Sequence, residues 1–146
     1  SWYFGMKAHI GVDVESGLVH TVKCTPANVH DITVAHELLH GKEKVAFADA
    51  GYVGIEKRGE TGAVQWYVAM RPSKRNKLDK RKRLDRIYNK IERLKAGVRA
   101  KVEHPFRVLK CQFGYLKARY RGLAKNTAHI ETQFALANLW MARKML

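Results

Sequence analysis

Acidic residues are scarce in this sequence: 13 Asp and Glu stand against 28 Lys and Arg in 146 residues, a formal charge of +15. That excess goes beyond what solubility requires and implies a polyanionic partner, most simply nucleic acid. An acidic membrane surface fits less well, because no basic amphipathic helix stands apart from the core pattern. Cysteine is nearly missing too. Cys24 and Cys111 are far apart, form no C-x-x-C pair and match no zinc spacing, so they read as two buried, reduced thiols of a cytosolic protein. No apolar run approaches the ~18 residues of a membrane span, and no signal peptide is recognisable, so neither export nor membrane insertion is expected. Repeats and low-complexity tracts are absent as well. With 46% hydrophobic residues the chain can build one domain, or most of one. It starts at Ser1 without a methionine and enters a strand pattern almost at once, which suggests a fragment.

The hydrophobic pattern then sets out the elements. "WYFGMKAHIGV", from Trp2 to Val12, and the alternating run from Leu18 to Thr25 flank "ESG" and predict a β-hairpin. Asp31 can cap a short helix through about Leu39, stopped by Gly41. "KVAFADAGY" reads as a strand ending at Asp49 before a glycine turn, residues 54–63 as a short polar helix, and "QWYVAM" as a further buried strand. This order predicts an α/β domain with a mixed sheet.

From Arg71 to Lys101 there are 14 Lys or Arg against 3 acids. Leu84, Ile87, Ile91, Leu94, Val98 and Val102 recur there at steps of three or four, which predicts an amphipathic helix with a solvated basic face. Pro105 should kink or restart it. Helical pattern resumes from Phe106 to about Tyr120. A last helix, about 127–145, takes Asn126 or Thr127 as its cap and presents an apolar face through Ile130, Phe134, Leu139 and Trp140. The expected organisation is one partial domain over 1–146, with a basic helical segment at about 71–120.

Two constellations could carry chemistry. His36, Glu37 and His40 form H-E-x-x-H, which on an α-helix places two imidazoles one turn apart to grip Zn²⁺ with a glutamate beside them. Gly41 directly follows His40, however, so the second imidazole would sit on a fraying turn. The downstream candidates for a third ligand, Glu56 and Glu60, lie in an unremarkable polar helix, so the motif is expected to be a surface coincidence. Asp49 and Glu103 make the stronger pair. Asp49 ends a hydrophobic strand, where α/β sheets present reactive groups. Glu103 is the only acid between Glu92 and Glu131, set among Arg99, Lys101, Arg107 and Lys110. Arg99, Glu103 and Lys110 share one helical face if the helix continues past Pro105. An acid so surrounded is commonly just an ion-pair partner.

"FADAGY", the R-x3-E-x6-K spacing of Arg99, Glu103 and Lys110, and the wider "RAKVEHPFRVLK" resemble the signatures of bacterial insertion-sequence transposases of the DDE class. The opening "WYFGMKAHIGVDVESGLVH", "NVHD" and "KARYRGLAKN" are similar to the insertion-sequence-five group. Essentially the whole chain is covered. The resemblance implies an RNase H-like mixed sheet flanked by helices, in which two aspartates and a glutamate hold two divalent cations, Mg²⁺ or Mn²⁺. Asp49 would be the second aspartate and Glu103 the glutamate. Arg99 and Lys110 would hold phosphates, and Lys101 and Arg107 would add to the basic surface for double-stranded DNA. A homodimer is expected for paired-end cutting.

Two departures stand out. Ala96 occupies a position where the family has a tyrosine, and the family's first aspartate belongs on a strand upstream of Ser1. Asp13 reads as a turn residue, not a substitute. Without that central strand, the hairpin and the strand ending at Asp49 each lose a partner. The 146 residues alone are therefore expected to fold poorly and not to transpose. The competing reading is a non-catalytic basic nucleic-acid-binding protein in which Asp49 and Glu103 are only structural.

Overall fold

The computed structural model describes residues 5–146, so the predicted start of the first strand at Trp2 lies outside it. Strand β1 (Met6–Val12) pairs antiparallel with β2 (Val19–Pro26), Met6 opposite Pro26 and Val12 opposite Val19. Asp13 closes the connecting turn: its carboxylate accepts from Ser16 N and Ser16 Oγ, both at 2.6 Å. Asp13 is thus a turn residue, and these bonds hold its carboxyl below the usual carboxylate range. A 3₁₀ segment (Asp31–Leu38) leads to β3 (Val45–Ala48), and two further 3₁₀ turns (Ile55–Lys57 and Gly59–Thr61) replace the predicted polar helix before β4 (Gln65–Val68). β3 and β4 run parallel in register from Val45 opposite Gln65. The helices are α1 (Pro72–Arg75), α2 (Arg83–Cys111) and α3 (Leu123–Ala142).

The domain is mixed α/β, but its strands form two separate two-stranded sheets where one mixed sheet was expected. Each strand therefore keeps one edge without a strand partner among the described residues. The core lies under the hairpin sheet. Ile130, Phe134 and Ala137 fall on one stripe of α3 and pack with Val108 and Leu109 of α2 against Ile10, Val19 and Cys24 of the hairpin. Phe106 meets Phe134 edge to face at 5.4 Å, an arrangement aromatic rings prefer. Asn138 locks α3 to β2 with both ends of its amide, accepting from Val19 N at 2.9 Å and donating to Val19 O at 2.7 Å.

A different device ties α2 to the second sheet. Glu92 is buried, yet its carboxylate accepts from Met70 N at 2.8 Å and from Lys95 Nζ at 2.8 Å, while Lys95 also donates to Val68 O at 2.9 Å. These partners hold Glu92 below the usual carboxylate range against the opposing effect of burial. α2 runs as one helix through Pro105, so the helix does not restart there. Pro105 is fully buried, and its packing offsets the donor it lacks. The helix ends at Cys111, well short of Tyr120. Its apolar stripe is only partly used: Val98 and Val102 are half-buried, whereas Leu84 and Leu94 are exposed, because the described elements that meet the first half of the helix cover the side of Glu92 and not that of Leu84 and Leu94.

Asn126 is not the cap of the last helix but lies one turn inside it. Its buried amide accepts from Tyr120 N at 3.2 Å and donates to Tyr120 O at 2.7 Å and Gly122 O at 2.8 Å, clamping the approach to α3. Cys24 is buried as expected and its thiol is pushed up by desolvation, but Cys111 is exposed on the last turn of α2. No helix among the described residues is long and apolar enough to cross a membrane.

The apolar face of α3 is narrower than the sequence implies: Phe134 is 1% exposed, Leu139 71%. Phe134→Ala is expected to cost about 3–5 kcal/mol, much of the total for a marginally stable domain. Leu139→Ala should stay within about 0.5 kcal/mol. Urea unfolding of the two variants measures the contrast, and equal costs would refute this core.

Candidate active site

Between the two sheets lies a cleft of about 360 Å³. β1 forms one wall, β3 the other, and α2 from Val98 to Phe106 closes one side. Four of the residues singled out in the sequence line it: Asp49, Arg99, Lys101 and Glu103. Arg107 and Lys110 do not. Both are exposed and lie one and two turns beyond Glu103 on the same side of α2, so Lys110 stands about 10 Å further along the axis.

Asp49 is delivered by β3, whose apolar run ends there. The chain turns at once, and the Asp49 carboxylate accepts from Gly51 N at 2.9 Å. Gly51 lies close to both acids: a Cβ at this position would stand 3.0 Å from Asp49 Oδ1 and 3.3 Å from Asp31 Oδ2, so the two carboxylates would have to give by a few tenths of an ångström. Tyr52 follows, and burial, with Asp31 and Asp49 adding to it, pushes its phenol up to about 12, keeping it a neutral hydroxyl.

Asp31 is the acid that sequence reasoning missed. It was expected to cap the first helix, but His30 occupies the cap position and no side-chain cap bond forms there. Instead the Asp31 carboxylate pairs with Lys7 Nζ at 3.2 Å and lies 3.9 Å from His9 Nδ1. Lys7 also donates to Val29 O at 3.0 Å, tying β1 to the start of the 3₁₀ segment. The available signal was "NVHD", whose acid stands directly after a turn.

Glu103 sits among cations in sequence but, among the described residues, makes no ion pair. Helical geometry sends Arg107 and Lys110 onward along α2, and Lys101 donates its ammonium to Val14 O in the hairpin turn. The carboxylate is left free in the cleft, with Arg99 one turn before it. The donors offered by Asp49 and Glu103 are carboxylate oxygens, the kind that suits hard divalent cations such as Mg²⁺ or Mn²⁺, but among the described residues Asp31, Asp49 and Glu103 are not gathered into a three-ligand group.

The H-E-x-x-H motif comes apart. Its residues lie on a 3₁₀ segment, where three residues make a turn and positions four apart do not share a face, and His40 falls beyond the end of that segment. His36 faces Glu60 at 3.6 Å and Glu37 pairs with Lys23, so the motif does not gather a zinc site.

Residues 1–139 match the family described as Transposase DDE domain. The chain therefore belongs to the transposase DDE domain family, whose members act on DNA and generally use divalent metal ions. No solved structure matches the chain.

His9 is a buried titratable group on the β1 wall of the cleft. Its Nε2 is 2.9 Å from Thr25 Oγ1, and burial lowers its pKa below the ordinary 6.5 despite the opposing pull of Asp31, with Lys7 adding to the lowering. Below pH 6.5 the unfolded chain binds more protons at this site than the folded one. Stability from His9 is therefore complete above that pH and is lost as pH falls toward the lowered folded value. The urea midpoint should drop on acidification below pH 6.5 and drop less in His9→Gln. Identical pH slopes for the two proteins would remove His9 as the cause.

Proposed function

We propose that this chain is the C-terminal catalytic part of an insertion-sequence transposase of the insertion-sequence-five group, built on an RNase H-like fold. It would cut a phosphodiester at the transposon end and then join the freed 3′-hydroxyl to target DNA. The observation that carries this reading is that Asp49 and Glu103 line one cleft, with Glu103 in no ion pair among the described residues. An acid kept only for a surface salt bridge would be paired. Asp49 and Glu103 would hold the divalent cations, Mg²⁺ or Mn²⁺, which would supply stabilisation of the charge that develops on the reacting oxygens.

The cations of this chain then divide by position. Arg99, half-buried beside Glu103, would hold the phosphate nearest the reacting bond. Lys110 and Arg107 would grip the duplex one or two turns along α2, and Lys101 braces the hairpin turn as well as adding positive potential. The remaining excess of α1 and α2 would provide sequence-independent affinity that falls with salt. Asp31, engaged by Lys7, would position the Asp49 turn. Cutting two transposon ends together favours a homodimer, acting in the bacterial cytoplasm.

The cleft fits this fold. The walls it presents, β1 and β3, are strands of different sheets, as they would be if a central strand belonged between them. In an RNase H-like domain that strand carries the first aspartate. With two of three acids, residues 1–146 alone should bind DNA and not cleave it.

The decisive experiment uses a chain that includes a strand bearing the first aspartate. Asp49→Ala and Glu103→Ala should each lower metal-dependent nicking of transposon-end DNA by roughly two to three orders of magnitude, the scale of losing one group that stabilises transition-state charge. DNA affinity should be kept or raised, since each change removes a negative charge. Undiminished nicking in either variant would sink the assignment. Absence of nicking in the parent chain, with DNA binding intact, would leave the non-catalytic DNA-binding reading.

A further inference from the structure

We propose that His20, His40 and Glu43 form a binding site for a late first-row divalent metal ion of the zinc class, joining the hairpin sheet to the segment that enters β3. The three side chains offer donor atoms that all lie within 4.8 Å of one another. They come from different parts of the fold. His20 is on β2, while His40 and Glu43 lie in the connection between the 3₁₀ segment and β3.

The cluster is held by contacts that suit ligation. His40 Nε2 is 3.4 Å from Glu43 Oε1, close to the separation of two ligands on a tetrahedral ion with bonds of about 2.0–2.2 Å. The other pairs need to close by no more than about 1.4 Å, a small movement for side chains at the surface. Glu43 is oriented by two backbone donors, His40 N at 2.6 Å and Gly41 N at 2.8 Å. Gly41 has φ +89°, the left-handed conformation that lets the loop fold back over the carboxylate. His20 Nδ1 lies 2.8 Å from Thr21 Oγ1. When that hydroxyl accepts the Nδ1 proton, Nε2 keeps its lone pair, the outer-shell arrangement common to metal-binding histidines.

The neighbouring strand makes room for the ring. A Cβ on Gly11 would stand 2.5 Å from His20 Cε1 and 3.0 Å from Nε2, so only glycine allows His20 to lie over β1. The two imidazoles meet edge to face with centroids 4.9 Å apart. Loading the site costs one weak contact, from Lys42 N to His40 Nδ1 at 3.4 Å.

Donor chemistry separates this site from the carboxylate cleft. Imidazole nitrogen suits zinc and its neighbours, whereas Mg²⁺ prefers oxygen throughout. His20 and Glu43 line the same cleft as Asp49, but Glu43 precedes β3 and Asp49 follows it, so the two centres sit at opposite ends of one strand. A bound ion would cross-link two sheets that share no hydrogen bonds and fix β3, and so Asp49, relative to the hairpin.

The test is titration with Zn²⁺ by calorimetry of the chain that includes the strand bearing the first aspartate, with the Co²⁺ visible spectrum as a second readout. One equivalent should bind, raise the melting temperature, and remain bound in excess Mg²⁺. Affinity should fall at least 10-fold in His20→Gln, His40→Ala and Glu43→Gln, and about 10-fold in Thr21→Val, which removes only the outer-shell contact. His36→Ala and Glu103→Gln should bind zinc as the parent does. The proposal is overturned if zinc does not bind, if Mg²⁺ displaces it, or if His36→Ala weakens it as much as His40→Ala. Far-UV circular dichroism of each variant separates lost ligation from lost folding, and the three ligand substitutions are independent routes to the same answer.

Discussion

Glu92 is the anchor on which the geometry of the cleft depends. It is a buried carboxylate, and a buried charge is tolerable only when paired and hydrogen-bonded. Its partners are the backbone just after β4 and a lysine of its own helix that also reaches β4. The same helix, four turns on, packs Val108 and Leu109 beneath the hairpin. α2 thus bridges two sheets that do not hydrogen-bond to each other. Removing that bridge would separate Asp49, which travels with the second sheet, from Glu103, which travels with the helix.

Around the cleft, polar contacts do the positioning that a continuous sheet would otherwise do. Lys7 and His9 hold Asp31, Asp31 and Asp49 flank Gly51, and Tyr52 is kept neutral beside both acids. The result is an acidic turn facing a basic helix across a small cavity. Such an arrangement can attract phosphate from one side and a divalent cation from the other, which is the combination needed by a protein acting on DNA. Membership of the transposase DDE domain family agrees with that physical description.

Much of this is legible in the sequence. The hairpin followed from two alternating runs around "ESG", β3 from an apolar run ending in Asp49, and α3 from its wide apolar periodicity. Less legible was everything requiring knowledge of what lies opposite. Leu84 and Leu94 have the spacing of buried residues, yet periodicity reports which face is apolar and not whether another element covers it. Asn126 has the composition of a cap, but its amide finds three backbone partners when it sits one turn inside α3. Pro105 breaks helices on average, and its full burial here offsets the lost bond.

By itself, then, the sequence determined most of the local elements, the basic character, the glycine turn after Asp49 and the helical spacing that puts Arg99 one turn before Glu103, because these depend only on neighbours along the chain. Tertiary structure decided the rest. It split the strands into two sheets, brought Asp31 beside Asp49, sent Lys101 to the hairpin turn, and dispersed H-E-x-x-H by winding it as a 3₁₀ segment while setting His40 against His20. Each of these outcomes turns on pairs distant in sequence, whose meeting is governed by packing and burial, quantities that no short stretch of residues contains.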